Sequence, residues 1–235
     1  RLKYSRQAML GLIDNLISTI HGLKWKIEQT EWGDYYQDNN YSSTALESKK
    51  QIVSRFLKEV NPGNVWDFGA NTGEFSRLSA KRGINTVAFD IDPAAVEMAY
   101  LKVAADKEEH LLPLIFDLAN PSPDLGWQNR ERDSLAKRGP ADMALALALI
   151  HHLAISNNLP FSRIAEFFRE MCRTLVIEFV PKSDSQVKKM LLSRQDIFNK
   201  YDREQFEKSF ADHFSIENVE NIPGSERLLY LMKRK

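Results

Sequence analysis

Cysteine is almost absent from this sequence, and neither sign of charge dominates it. Cys172 is the only cysteine, which excludes an internal disulfide and a metal cage built from several thiolates. Lysine and arginine together number 32, and so do aspartate and glutamate, so the chain lacks the excess positive charge that attracts a protein to nucleic acid or to an anionic membrane. We therefore expect no nucleic-acid partner and a reducing compartment, the cytoplasm.

Long hydrophobic runs are also missing. The longest, from Met143 to Ile150, is far shorter than the roughly 20 residues that cross a bilayer, and no charged and then apolar leader opens the sequence. We therefore expect a soluble protein with no membrane partner. The first residue is Arg1 rather than methionine, which is typical of a piece of a longer polypeptide.

What the sequence does contain is a regular alternation of apolar patterns. Apolar residues at three- and four-residue spacing predict a helix over residues 2–23, and a capping box at Thr44 and Glu47 predicts a second helix that ends before Pro62-Gly63. Short apolar runs then alternate with longer helical patterns, as in units that build a mostly parallel sheet. The predicted strands are 64–68, 85–89, 112–116, 141–149, 174–179, 214–221 and 227–232, and the predicted helices are 74–82, 93–106, 161–173, 185–193 and 203–213.

The sequence therefore predicts a doubly wound α/β domain over residues 61–235, which follows a helical lead-in over residues 1–60. The last two strands, joined by Pro223-Gly224-Ser225, are predicted to form a hairpin at the edge of the sheet.

A turn rich in small residues joins the first predicted strand to its helix and reads Asp67-Phe68-Gly69-Ala70-Asn71-Thr72-Gly73. Gly69 and Gly73 accept a positive φ without a steric penalty, and asparagine is well suited to the same conformation at Asn71. Such a turn lets the backbone come close to a ligand. A purely structural turn is the alternative interpretation.

Acidic residues stand at the carboxyl ends of three successive predicted strands. These are Asp67, Asp90 and Asp117. Asp90 comes 90 − 67 = 23 positions after Asp67, close to the roughly 20 at which doubly wound folds place an acid that binds a ribose. Each acid alone is also explained as a helix or turn cap. Together they indicate a ligand site beyond the ends of the strands.

The run from Asp67 to Gly73 resembles the Asp-x-Gly-x-Gly-x-Gly motif of class I S-adenosylmethionine-dependent methyltransferases, with Asn71 in place of the middle glycine. Three further segments are similar to a group of bacterial methyltransferases: Asp117-Leu118-Ala119-Asn120-Pro121, His151-His152-Leu153 and Glu178-Phe179-Val180-Pro181-Lys182. The resemblance covers residues 61–235.

This resemblance implies a Rossmann-like doubly wound sheet of seven strands with an antiparallel last strand. It also implies S-adenosyl-L-methionine as cofactor and S-adenosyl-L-homocysteine as product. By the same resemblance, the loop with Asp67, Gly69, Asn71 and Gly73 packs against the methionine part, Asp90 holds the ribose hydroxyls, and Asp117 with Leu118 borders the adenine.

The segment from Trp32 to Tyr41 has two open interpretations. It is either a surface loop or, as the family resemblance suggests, a lid over the cofactor. In the second interpretation Tyr36 and Tyr41 belong to the cofactor site, where their rings shield the sulfonium.

The sequence gives fewer signals for the part of the site that contacts the methyl acceptor. His151 and His152 follow the fourth strand, where either histidine could act as a general base or pack structurally. No metal is expected, because adjacent residues at a strand end point in opposite directions and no third ligand lies at a suitable spacing. Glu178 and Lys182 have two interpretations, a contact with the acceptor and an ion pair on a solvated face, and we favour the ion pair.

We therefore expect methyl transfer to an oxygen or nitrogen atom of a small molecule. Two alternatives remain: a catalytically silent cofactor-binding regulatory domain of a longer protein, and a nucleotide-linked oxidoreductase of the same fold. Against the oxidoreductase, Glu74 occupies the position at which a pyrophosphate-binding turn has its third glycine. The oligomeric state cannot be predicted from the sequence.

Overall fold

The computed structural model describes residues 4–23, 25, 43–192 and 194–235. The first helix, α1 (Arg6–Gly22), begins at the N-cap Ser5, whose side chain accepts a hydrogen bond from the Ala8 N–H, and none of its side chains is buried. The second helix, α2 (Ser43–Val60), leads into the sheet. Both lie within the segments where the sequence predicts helices.

Seven strands form one sheet in the order β3-β2-β1-β4-β5-β7-β6. The pairs among β1 to β5 are parallel, and β7 is antiparallel to both β5 and β6. The predicted hairpin and antiparallel last strand are therefore confirmed. The strands are β1 (Asn64–Phe68), β2 (Asn85–Asp90), β3 (Leu111–Ile115), β4 (Ala141–Ala146), β5 (Cys172–Phe179), β6 (Phe214–Asn221) and β7 (Leu228–Arg234).

Helices connect the parallel strands and cover both faces of the sheet. They are α3 (Ser76–Ala80), α4 (Pro93–Asp106), α5 (Leu135–Arg138), α6 (Phe161–Met171), α7 (Ser185–Leu192) and α8 (Arg203–Ala211). Helix α4 begins where the sequence predicts, because the Asp92 side chain caps the Ala94 N–H and proline fits the first helical position.

Two apolar clusters pack on opposite faces of the sheet. The larger includes Phe68, Phe168 and Phe206, and the smaller contains the apolar face of α2. Since Val53 and Phe56 of α2 are buried in the cluster that also contains Val65 of β1, the helix packs into the same core as the sheet. Helix α2 belongs to the segment that the sequence analysis treats as a lead-in.

The fourth strand ends three residues earlier than predicted. The apolar run continues to Leu149, but Ala148 has a left-handed φ of 50°, so the strand ends at Ala146. The sequence has no glycine or proline at this point, and the Ala148 N–H donates a hydrogen bond to the carboxylate of Glu178 in another strand. Cys172, expected just before the fifth strand, is the buried first residue of β5.

Among the helices of the described part of the chain, none is long and apolar enough to span a membrane.

Candidate cofactor and acceptor site

A cavity of about 300 Å³ opens at the carboxyl ends of the central parallel strands. Its position is the one at which open α/β sheets bind ligands. The volume is at the lower end of the range of small-molecule pockets. The lining residues come from α2, from the turns after β1, β2, β3 and β4, and from residues 152–157.

The turn after β1 forms one wall of the cavity. Its φ angles are 73° at Gly69, 50° at Asn71 and 82° at Gly73, so all three positions adopt the predicted left-handed conformation. The Gly69 and Ala70 N–H groups donate to the Phe89 carbonyl at 2.9 and 3.0 Å. A Cβ atom at Gly69 would lie 3.1 Å from the Leu149 side chain. The absence of a side chain therefore leaves room for the backbone at the cavity wall.

Asp90 closes the loop from the end of β2. Its Oδ2 accepts a 2.6 Å hydrogen bond from the Asn71 N–H, and its Oδ1 accepts one of 2.9 Å from the Asp92 N–H. Burial raises the pKa of this carboxyl group, and the backbone hydrogen bonds oppose that rise. Gly69, Ala70 and Asn71 of the turn over residues 69–73, which we call the glycine turn, thus line a common cavity with Asp90, whereas Gly73 lies outside the lining.

Asp67 lies deeper, with 2% of its surface exposed. The Ser76 hydroxyl donates a 2.6 Å hydrogen bond to its Oδ2. Burial raises the pKa of Asp67 to about 7, while the Ser76 hydrogen bond and the Lys49 charge act in the opposite direction. This carboxyl group therefore changes charge near neutral pH.

Asp117 and Leu118 line the cavity beyond the end of β3. Asp117 Oδ1 accepts a 2.8 Å hydrogen bond from the Ala119 N–H, which is the turn-capping contact that the sequence leaves open as an alternative. The three acids that the sequence predicts at one edge of the sheet all line the same cavity.

The two histidines occupy different positions. His152 lines the cavity, whereas His151 lies outside its lining, is 2% exposed and has no hydrogen-bond partner at Nδ1 among the described residues. Burial lowers the pKa of His152 to about 4 and lowers that of His151 well below its usual value. Both imidazoles are therefore neutral at physiological pH.

The expectation that the two histidines point in opposite directions is wrong, because their ring centroids are 4.1 Å apart. The chain has already left the extended conformation at this point and forms a short π-helical turn over His152–Ser156. No cluster of three metal-ligating side chains occurs in the described ranges.

Glu178 is not on a solvated face, which corrects the sequence interpretation. It lies within β5, is fully buried, and its Oε2 is 2.6 Å from the ammonium of Lys49. Its Oε1 is 3.3 Å from Arg227, which also contacts Asp184 at 2.7 Å. Lys182 instead forms a partly exposed pair with Asp196.

Lys49 and Leu46 line the cavity from α2 and were missed by the sequence analysis. A signal for Lys49 was present, since it shares a helical face with Ala45, Ile52 and Val53, which are all buried. A lysine in the middle of such a face, like a glutamate within the apolar β5, indicates a buried ion pair.

Tyr36 and Tyr41, together with the rest of the predicted lid, lie outside the described residues. Their assignment to the cofactor site stays a prediction.

The chemistry of the cavity fits an adenosyl sulfonium cofactor. Its walls combine apolar side chains with the carboxylates of Asp67, Asp90 and Asp117, which suit hydroxyl groups and a cationic ligand. Glu74, which disfavours a pyrophosphate at this turn, pairs with Lys50 at 2.9 Å. Gly69 lines the cavity wall, and a Cβ there would crowd the Leu149 side chain.

Comparison with known proteins gives the family. The profile of a methyltransferase domain family matches residues 41–219. The chain is also 37% identical over 231 residues to the nodulation protein NoeA of Rhizobium meliloti (strain 1021), an alignment that covers 97% of this chain and 48% of NoeA. The chain thus spans about half the length of that relative.

Two solved methyltransferases share the fold. The magnesium protoporphyrin IX methyltransferase of Synechocystis PCC 6803, solved with bound S-adenosylhomocysteine, superposes with a TM-score of 0.58 at 18% identity and covers 97% of this chain and 100% of its own. The N-methyltransferase NodS of Bradyrhizobium japonicum WM9 superposes with a TM-score of 0.59 at 11% identity, over 82% and 98% of the two chains. With the matched domain, the relative and the fold in agreement, the chain belongs to the class I S-adenosylmethionine-dependent methyltransferases.

Proposed function

We propose that this protein transfers a methyl group to an oxygen or nitrogen atom of a small molecule that enters the cavity beside His152. The observation that carries the proposal is the shared cavity of the glycine turn, Asp90 and the π-helical turn that follows β4. In this arrangement the cofactor and the acceptor occupy neighbouring parts of one site.

When bound, S-adenosylmethionine supplies an electrophilic methyl carbon. We assign Asp90 to the ribose hydroxyls, because its buried carboxylate accepts hydrogen bonds at the cavity wall. Asp117 and Leu118 are assigned to the adenine end, and Gly69 to Gly73 to the methionine end. Asp67, whose carboxyl group lines the cavity and is ionised above pH 7, favours a cationic ligand.

The acceptor side is lined by His152, Ser156 and Asn157, whose side chains are polar and uncharged at neutral pH, together with Leu153. Such a surface suits a hydroxyl or amino group. Because the pKa of His152 is about 4, its imidazole is a weak base, and we assign it to orienting the acceptor through a hydrogen bond. His151 is assigned to packing against the His152 ring and holding it in place.

The solved methyltransferases do not identify the methyl acceptor of this chain. One is named for magnesium protoporphyrin IX and the other as an N-methyltransferase, so a common fold carries different substrates. The name of the nodulation protein NoeA does not identify a methyl acceptor.

The test is release of S-adenosylhomocysteine from S-adenosylmethionine across a panel of small hydroxyl and amino compounds. We expect turnover with at least one of them, and His152→Asn should lower kcat about ten-fold or more without changing the Kd of S-adenosylhomocysteine. Ser183→Ala, a change to an exposed hydroxyl outside the cavity, serves as the control. Cofactor binding without release on any acceptor would favour the silent binding domain instead.

A further inference from the structure

Glu178 makes a contact that its ion pairs do not explain. Besides Lys49 and Arg227, it contacts the backbone of the segment that follows β4. Its Oε2 accepts a 2.7 Å hydrogen bond from the Ala148 N–H. Ala148 belongs to the segment directly after β4, residues 147–149, which we call the post-β4 turn. All three residues of this turn line the cavity.

The backbone of the post-β4 turn needs outside support. Ala148 has a φ of 50°, a left-handed conformation that costs an alanine free energy because its Cβ is crowded there. Residues hold such conformations when neighbouring groups fix them. The buried Glu178 carboxylate is such a group, because it binds the N–H of the strained residue itself.

The post-β4 turn contacts both the glycine turn and the segment that carries His152. The Leu149 side chain lies against Gly69, 3.1 Å from the place that a Cβ would take. The Leu149 carbonyl accepts hydrogen bonds from the His152 N–H at 3.0 Å and the Leu153 N–H at 3.2 Å. Displacement of the post-β4 turn would therefore disturb both the glycine turn and the segment that carries His152.

We propose that Glu178 is a positioning residue that clamps the post-β4 turn through Ala148 and thereby sets the wall between the cofactor and acceptor parts of the cavity. This inference rests on the proposed function for the identity of the two parts. Glu178 itself does not line the cavity.

The cations around Glu178 keep the clamp in place. Lys49 approaches it from α2, and Arg227, which is also held by Asp184, approaches from the residue before β7. Charge-assisted contacts to two partners hold the buried carboxylate in position. The clamp therefore links α2, β5 and the β6–β7 hairpin to the cavity wall.

The experiment compares two double variants that both remove the buried Lys49–Glu178 charge pair. Lys49→Met/Glu178→Gln retains an oxygen that can accept from the Ala148 N–H, whereas Lys49→Met/Glu178→Leu does not. Hydrogen–deuterium exchange of a peptide spanning residues 147–153 is measured without ligand, and the Kd of S-adenosylhomocysteine is measured by calorimetry. The Leu variant should exchange about ten-fold faster in this peptide and bind about ten-fold more weakly than the Gln variant.

A rescue variant separates positioning from a general loss of packing. Adding Ala148→Gly to the Leu variant should restore the Kd to within about three-fold of the Gln variant, because glycine adopts a left-handed φ without support. If a double variant fails to fold, Glu178→Asp is compared with wild type: it keeps the charge but is one methylene too short for Ala148, so faster exchange and weaker binding are again expected.

Equal exchange in the two double variants would overturn the clamp, and faster exchange with an unchanged Kd would overturn its role in positioning. Absence of methyl transfer by the wild type would instead contradict the proposed function. The exchange and Kd comparisons could still be interpreted, because neither measures turnover.

Discussion

At the scale of single residues, Gly69 is a position of the glycine turn where a side chain is poorly tolerated. Its φ of 73° strains any L-residue, and its missing side chain leaves space against Leu149. Gly69→Ala should lower the free energy of unfolding by about 1–3 kcal/mol and weaken S-adenosylhomocysteine binding at least about ten-fold. Denaturant titration and calorimetry measure the two effects.

Gly83→Ala is the matched control for this substitution. Gly83 has a similar φ of 77°, but no atom lies within 4 Å of the place its Cβ would occupy. The control should therefore show the backbone strain alone and leave binding unchanged. Equal Kd values for the two variants would contradict a close approach of Gly69 to the ligand.

We expect Asp67 to make cofactor binding depend on pH. Its pKa is raised to about 7, so the carboxyl group is mostly protonated at pH 6 and ionised at pH 8. A cationic ligand binds the ionised form better, so the affinity for S-adenosylmethionine should rise with pH and be about ten-fold weaker at pH 6 than at pH 8. Asp67→Asn should remove most of this difference; identical pH profiles for the variant and the wild type would exclude Asp67 as its source.

The residues that the sequence could identify are those whose signal is local. Gly69, Asn71 and Asp90 follow from the spacing of one strand, one turn and the next strand. Lys49 and Glu178 lie 129 positions apart (178 − 49) and meet only because α2 packs across the sheet beside β5. Their pairing is long-range, so the sequence analysis assigned Glu178 to the wrong partner and environment.

At the scale of elements, helix α3 supports the glycine turn through Arg77. This buried side chain donates a 2.6 Å hydrogen bond to the Thr72 carbonyl and pairs with Glu108 at 2.9 Å. Arg77→Met leaves the Thr72 carbonyl and the Glu108 carboxylate without this partner. The free energy of unfolding should fall by about 2–3 kcal/mol, and S-adenosylhomocysteine should bind more weakly.

Arg163→Met provides the comparison for Arg77. Arg163 pairs with Glu166 on the surface of α6 and is 72% exposed, so its loss should change stability by no more than about 0.5 kcal/mol. Urea unfolding of both variants tests the difference. Equal, small effects would show that α3 does not support the turn through Arg77.

The elements themselves were largely predictable, since α4, β1 and β6 have the predicted ends. Their limits are set by local signals, such as Asp92 before Pro93. The fourth strand was predicted too long because residues 147–149 continue its apolar pattern. The bend at Ala148 is supported by the carboxylate of another strand, which the pattern of β4 does not contain.

At the scale of the whole molecule, the strand order explains why the turns after β1 and β4 line one cavity. Strands β1 and β4 are neighbours at the centre of the sheet, so the turns that follow them lie side by side at the cavity wall. The chain runs from β1 outward to β3 and then returns to β4, which places the cavity where the connections diverge. Class I methyltransferases with different acceptors can share this arrangement because the acceptor side is built from separate segments.

Co-crystallisation with S-adenosylhomocysteine tests whether the cavity at the glycine turn binds the methyl donor. We expect density for one ligand whose ribose hydroxyls lie within hydrogen-bonding distance of Asp90 and whose adenine lies beside Asp117 and Leu118. Density at another site, or a ribose turned away from Asp90, would show that the cavity is not the cofactor site proposed here.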